Sequence, residues 1–337
     1  MMNIAINGFG RIGRSFLRSY LLDKQARGSF QVVAINVGPC KLEHVPHMFK
    51  YDTFMGTLPY EVSYEHGYLR VDGLQIALLS VMQPEHAGWD RFNVEWVIEA
   101  TGLFTTKEKA LLHCAGGARR VLITAPGKQV DVTIVPGVND DQFDDEHHKI
   151  VSLASCTTNA LAPMLKVLHE NFGIETAFMN TIHSYTNSQV LLDVQAKDLR
   201  ESRAATMSII PSTSGASSAI KEVYPILAGK VSGMSLRVPV GKISIVDLAF
   251  TSSSQLTKES INQAFRHARD GALKDILDST TLPLVSIDYT NNPHSVIIDE
   301  LLTDVNGMAG KVFGWYDNEY GYSCRLKDFL LKVSLMK

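Results

Sequence analysis

Cysteine is scarce: Cys40, Cys114, Cys156 and Cys324 are the whole complement of a 337-residue chain. They are widely spaced with no C-x-x-C pair, which argues against a disulfide framework and against a zinc site. A basic excess is missing as well. With 32 Lys and Arg against 35 Asp and Glu, the formal net charge of -3 provides no general field for nucleic acid. No apolar run reaches the roughly 18 residues that a membrane-spanning helix needs. Met1-Met2-Asn3 leads into strand-like residues without a basic n-region or an apolar h-region. Repeats and low-complexity tracts are lacking too. The expectation is a cytoplasmic globular protein with reduced thiols that acts on small molecules, with no metal site, no nucleic-acid partner and no membrane.

What is present is ordinary globular composition, 45% hydrophobic and 20% charged, over a length suited to two domains of about 150 residues. Strand-like runs at 3–7 and 30–36 flank an amphipathic stretch at 14–23, a βαβ unit. Runs at 96–100, 120–124 and 131–135 continue the pattern that a doubly wound parallel sheet requires. After Cys156 the texture changes: a helix over 161–170, strands over 233–239 and 243–252, and a helix over 260–274. A last helix over 320–337 has apolar residues at Leu326, Phe329, Leu330, Val333 and Leu335, spaced to pack back on the first domain. The fold class expected is α/β, a Rossmann-type doubly wound parallel sheet plus an α+β catalytic domain. Residues 1–155 and 318–337 form the dinucleotide-binding domain, and 156–317 the catalytic one.

Gly8-Phe9-Gly10-Arg11-Ile12-Gly13 fits G-x-G-x-x-G directly after a strand and before a helix. Glycines permit a tight turn and close backbone approach, and the helix start offers unpaired N–H groups to a pyrophosphate. The acidic residue that usually ends the second strand is replaced by Val37. A carboxylate there would repel a 2′-phosphate, and Lys41 nearby would attract one, so NADP is expected to be accepted beside NAD.

The run 149–159 reads as a strand and a turn, followed by a helix, which places Cys156 at a helix N-terminus. The positive end of the helix favours thiolate over thiol, as a nucleophile toward an aldehyde needs. Cys114, in an apolar run, reads as an inert small hydrophobe. A histidine close to Cys156 would complete a nucleophile and base pair.

Ala154-Ser155-Cys156-Thr157-Thr158-Asn159 resembles the nucleophile motif of the glyceraldehyde-3-phosphate dehydrogenase family, and Asn7-Gly8-Phe9-Gly10-Arg11-Ile12-Gly13-Arg14 resembles its opening motif. Thr181-Ile182-His183-Ser184-Tyr185-Thr186-Asn187, Pro293-His294-Ser295 and Trp315-Tyr316-Asp317-Asn318-Glu319-Tyr320-Gly321-Tyr322-Ser323 follow in family order and spacing. The resemblance covers roughly residues 2 to 335. It implies that Cys156 adds to the aldehyde, that His183 takes the proton as hydride leaves, and that inorganic phosphate releases an acyl phosphate from the thioester. Asn318 would hold the nicotinamide carboxamide, and Gly8, Gly10, Arg11, Ile12, Gly13, Val37, Thr101, Gly102, Thr124 and Tyr322 would complete the cofactor site. Ser155, Thr157, Thr186, Ser214, Gly215 and Arg237 would bind substrate and phosphate. A homotetramer is implied.

Four departures from the family pattern bear on specificity. Ser188 stands where an Asp is usual, and Glu201, in Leu199-Arg200-Glu201-Ser202-Arg203, stands where a phosphate-binding Arg is usual, a costly reversal unless the side chain turns away. Lys242 is expected either to supply a compensating charge or to lie solvated on the surface. Val194-Gln195 replaces Leu-Pro in the loop after Asp193, which makes further room for a 2′-phosphate. The substrate expected is glyceraldehyde 3-phosphate. The alternatives are erythrose 4-phosphate, or a low-activity paralogue serving as a nucleotide-binding or interaction module.

Overall fold

The computed structural model describes residues 1–196 and 198–336. They gather into two compact units. One comprises Met1–Ile134, Asp140–Ala154 and the C-terminal stretch from Ser323; the other comprises Val135–Asn139 and Ser155–Tyr322. Among the described residues no helix is long and apolar enough to cross a membrane.

The first unit is built on a nine-stranded sheet. Seven strands are parallel, in the order Val132–Thr133, Ile150–Ser152, Arg120–Ile123, Trp96–Glu99, Met2–Asn7, Phe30–Asn36 and Leu74–Leu79; the antiparallel strands Tyr68–Val71 and Val62–Glu65 complete one edge. Chain order reverses at Met2–Asn7, which pairs with Phe30–Asn36 on one side and Trp96–Glu99 on the other. In a parallel sheet that reversal opens a crevice at the carboxyl ends of the strands. The helix Arg11–Leu22 begins three residues before the periodicity suggests, because Gly10 caps it. It buries Phe16, Leu17, Tyr20 and Leu21, each contributing about 2 kcal/mol, and Tyr20 stacks on Phe30 at 5.2 Å. The last helix, Tyr320–Leu335, sends Phe329 edge-on to Trp96 at 5.7 Å and to Phe143 at 5.2 Å. Leu326, Phe329, Leu330 and Val333 are thus buried as their spacing suggests, whereas Leu335, in the last turn, is exposed.

Beneath the crevice lies a buried polar network. The Glu99 carboxylate accepts from Asn7 Nδ2 at 2.6 Å, from the Thr101 amide at 2.8 Å, from the Thr101 hydroxyl and from His113 Nε2 at 2.9 Å. Trp89 Nε1 donates to His113 Nδ1 at 3.2 Å, which fixes the tautomer with its proton on Nε2. Asn36 Nδ2 donates to Asn7 Oδ1 at 2.7 Å. Each of these donors and acceptors would be costly to bury alone. Together they tie the ends of three neighbouring strands to one carboxylate.

The second unit carries an eight-stranded mixed sheet, ordered Ile210–Ser212, Val231–Val238, Ile174–Ser184, Ser244–Ser252, Ala309–Tyr316, Val296–Asp299 and Leu277–Thr280, with Asp304–Asn306 paired to Ala309–Tyr316. Along Ser244–Ser252 every second residue is buried, so one face supports the core. Helices Cys156–Phe172 and Lys258–Asp270 belong to this unit. The first starts five residues earlier than expected, at the nucleophile itself. The second starts at a Thr257 capping box. Both differences come from capping hydroxyls, which apolar periodicity does not register.

Replacing His113 with Ala should lower the unfolding free energy by about 3 to 4 kcal/mol, since it opens a cavity, strands the Trp89 indole N–H and removes a donor from Glu99 Oε2, which keeps Asn7. Urea denaturation followed by tryptophan fluorescence checks this; a loss below about 1 kcal/mol would show that the network is not structural.

Candidate active site

In the first unit the glycine loop is shaped by close approach. Gly8 has φ 95°, and a Cβ there would lie 2.8 Å from the Ala100 carbonyl carbon and the Thr101 amide. A Cβ on Gly13 would lie 2.3 Å from the Gly8 carbonyl oxygen, whereas one on Gly10 would have nothing within 4 Å. The loop is therefore tight toward the protein and open at Gly10, where the helix start has no side-chain cap. This is the form of a cradle for a dinucleotide pyrophosphate. Thr101 is bound to Glu99, Gly102 follows with φ 74°, and the Thr124 hydroxyl donates to the Glu99 carbonyl at 3.0 Å. Val37, partly exposed, donates its amide to the Leu79 carbonyl at the end of its strand. Ile12 is also partly exposed. The Arg11 guanidinium pairs with Asp52 and lies over the Phe54 ring at 5.2 Å.

In the second unit the turn into helix Cys156–Phe172 is capped by Ser155, whose hydroxyl accepts from the Thr158 amide at 3.0 Å. Ala154, just before it, is held at φ 54°, a left-handed conformation that costs a non-glycine residue on the order of 1 kcal/mol. The turn puts Cys156 at the first helical position. His183 comes from strand Ile174–Ser184, and Cys156 Sγ lies 3.6 Å from its Nε2. Arg237 is its register partner on the neighbouring parallel strand. His183 Nδ1 lies 2.7 Å from the Ser184 carbonyl, which also accepts from Arg237 Nη1 at 3.2 Å. The Ser184 carbonyl only accepts and the Arg237 guanidinium only donates, so the two contacts at Nδ1 call for opposite tautomers; the one with its proton on Nδ1, toward the carbonyl, presents the Nε2 lone pair to the thiol. Arg237 Nη1 sits 2.6 Å from Nδ1 and brings a cation against the ring.

Burial, and secondarily the Arg237 charge, pull His183 down to about 3. Burial raises the Cys156 thiol, against the opposing pull of Arg237 and of the hydrogen bonds around Thr157. Desolvation of the thiol thus opposes the helix end, which favours thiolate. Moving the proton from Sγ to Nε2 leaves the pair neutral overall, so the nucleophile can form on demand within the contact. Tyr316 backs the site, bonding the hydroxyls of Thr157 at 2.9 Å and Thr181 at 2.8 Å, and burial raises its phenol. Cys114, half-buried against Ala110 and Val121, has its thiol raised by burial, in keeping with a packing role.

Asn318 is buried in the same unit. Its Oδ1 accepts from Ser184 Oγ at 3.0 Å and Ser244 Oγ at 3.4 Å, which turns Nδ2 the other way. Tyr322 is buried, its phenol raised by burial. Lys242 overturns both expectations for it. It is buried, with Nζ 2.8 Å from Asp317 and 2.9 Å from Asn291 Oδ1, and is neither a surface lysine nor a phosphate ligand.

The residues expected at the anion sites do not all present free hydroxyls. The Ser155 hydroxyl is committed to the helix cap and that of Thr157 to Tyr316. Thr186 bonds Ser188 Oγ at 2.9 Å and Gln189 Oε1 at 3.2 Å within its own loop. Ser214 accepts from the Ala216 amide at 3.3 Å, and Gly215 begins helix Ala216–Val223. Glu201 accepts from Ser212 Oγ at 2.7 Å, a neutral partner that anchors its carboxylate. The structure therefore assembles Cys156, His183 and Arg237 directly. Ser184, Ser244 and Tyr316 were not among the expected site residues; Ser184 and Tyr316 lie inside quoted motifs, but nothing in their spacing marks them as supports.

Comparison with known proteins agrees with this geometry. Residues 2–107 match the glyceraldehyde 3-phosphate dehydrogenase NAD binding domain, and residues 155–318 match the C-terminal domain of the same family. A curated relative, glyceraldehyde-3-phosphate dehydrogenase 2 of Bacillus subtilis, is 48% identical over 99% of this chain and 97% of its own length. The glyceraldehyde-3-phosphate dehydrogenase of Geobacillus stearothermophilus is 46% identical over 99% and 98%, and the second such enzyme of Streptomyces avermitilis is 46% identical over 98% of each chain. With the glycine loop, the cysteine and histidine pair and both domain matches in place, the chain belongs to the glyceraldehyde-3-phosphate dehydrogenase family.

Proposed function

We propose that the chain is a phosphorylating aldehyde dehydrogenase that oxidises glyceraldehyde 3-phosphate with inorganic phosphate and NAD or NADP, giving 1,3-bisphosphoglycerate in glycolysis or, in reverse, in gluconeogenesis. The observation that carries this reading is the 3.6 Å contact between Cys156 Sγ and His183 Nε2, with Arg237 against the ring. In this reading the first unit holds the dinucleotide and the second performs the acyl chemistry.

The nicotinamide, when bound, supplies the hydride acceptor. His183 Nε2 takes the thiol proton as Sγ adds to the aldehyde carbon, and returns it to the carbonyl oxygen of the resulting hemithioacetal. Nε2 then accepts that hydroxyl proton as hydride departs, which leaves a thioester on Cys156. A phosphate oxygen adds to the acyl carbon, Sγ leaves and recovers the proton held on Nε2. Amides of the first helical turn favour the transient oxyanion. The Arg237 charge offers a counterion to substrate phosphate, and Asn318 holds the carboxamide through Nδ2. Acceptance of NADP is supported by Val37 at the strand end and by exposed Lys41. Assembly into a homotetramer is supported by apolar side chains left exposed on the second unit, among them Leu191, Leu192, Leu199, Met207 and Ile209.

Three outcomes follow. Nicotinamide absorbance should rise with glyceraldehyde 3-phosphate and either dinucleotide only when inorganic phosphate is present; turnover independent of phosphate would mean that water resolves the thioester. Cys156→Ser should lower kcat by about 10⁴-fold or more while dinucleotide affinity, measured calorimetrically, stays unchanged. Arg237 lowers the Cys156 pKa, so Arg237→Met should move the pH profile of iodoacetamide alkylation upward and slow alkylation at pH 7; a profile that stays in place, or moves down, removes Arg237 from that role.

A further inference from the structure

We propose that Lys242 is a positioning residue for the nicotinamide-binding amide, acting on Asn318 through a buried ion pair with Asp317; this rests on the reading of Asn318 given above. Asp317 is almost wholly enclosed, and four donors fill its carboxylate. Oδ1 accepts from the amides of Glu319 at 3.0 Å and Tyr320 at 2.8 Å. Oδ2 accepts from the Asn291 amide at 2.8 Å and from Lys242 Nζ at 2.8 Å. The carboxylate therefore shapes the backbone on both sides of Asn318 and starts the helix Tyr320–Leu335. Lys242 is the only cation in contact with it among the described residues.

The backbone beside Lys242 shows what this arrangement demands. Ile243 has φ 71°, a left-handed conformation that is an outlier for a β-branched residue and persists only where the surroundings enforce it. It is packed into a cluster with Tyr289 and Ile297. That turn sends Lys242 to Asp317 while Ser244, the next residue along, begins its strand and bonds both the Ser184 amide at 3.1 Å and Asn318 Oδ1 at 3.4 Å. One strained residue thus directs two neighbours to the two flanks of Asn318, one to its backbone and one to its side chain. Asn291, also left-handed with φ 62°, joins the two partners: its backbone amide donates to Asp317 and its side-chain oxygen accepts from Lys242.

Without the ammonium, a buried carboxylate faces only neutral donors, and its arrangement with residues 317 to 320 must relax toward water or a proton. The Asn318 amide then loses its fixed orientation, which weakens contacts to the nicotinamide and not those to the adenosine half of the cofactor.

The test compares NAD with ADP-ribose, which lacks nicotinamide, by calorimetry on Lys242→Met. The expected result is an NAD dissociation constant raised on the order of tenfold, an unchanged one for ADP-ribose, a raised KM for the dinucleotide, and loss of single-face hydride transfer with a deuterated substrate. Equal weakening of both ligands, or of neither, would overturn the proposal. Should Lys242→Met not fold, Lys242→Gln, which keeps a donor toward Asp317, is read in the same way. If the unaltered protein binds ADP-ribose but discriminates for no nicotinamide dinucleotide, the proposed function falls and this inference with it. NAD binding by the unaltered protein with an indifferent variant removes the role of Lys242 alone.

Discussion

Strand register is the constraint on which the second unit depends. His183 faces Arg237 because Ile174–Ser184 pairs with Val231–Val238 in that register, and Ser184 reaches Ser244 because the same strand runs beside Ser244–Ser252 on its other side. A slip of one residue would turn His183 to the opposite face. It would also separate Arg237 from the Ser184 carbonyl and release Asn318 from its hydroxyl partners. The base, the cation beside it and the amide support are thus set by the pairing of a single strand, and the 3.6 Å approach of the thiol is completed from the capped helix.

What was legible in the sequence is what lies close together in it. The glycine loop, the cysteine turn and the histidine strand are contiguous motifs, and the doubly wound sheet followed from runs of apolar residues separated by helical periodicity. Illegible were partners distant in the chain. Nothing in the run Val240-Gly241-Lys242-Ile243 announces a buried ammonium; the ion pair exists because Asp317, 75 positions later, needs a cation. Glu99, His113 and Trp89 likewise look unrelated until the sheet brings strand ends together over one carboxylate. Two helix starts, at Cys156 and Lys258, differ for a simpler reason, since the capping Ser155 and Thr257 are polar and drop out of an apolar pattern.

The departures from the family pattern resolve in different ways. Glu201 does not stand as an isolated charge, because Ser212 holds it, and Ser188 is drawn into a hydroxyl pair with Thr186. Both changes are absorbed by neighbouring hydroxyls, which lowers their electrostatic cost. Val37 is different, since the second strand ends there in an apolar side chain with its amide tied to Leu79.

The left-handed Ala154 bears on how the nucleophile turn can vary. At φ 54° a glycine would sit without strain, whereas a β-branched residue would not. Drift at this position is therefore confined to small residues, although its side chain takes no part in the chemistry.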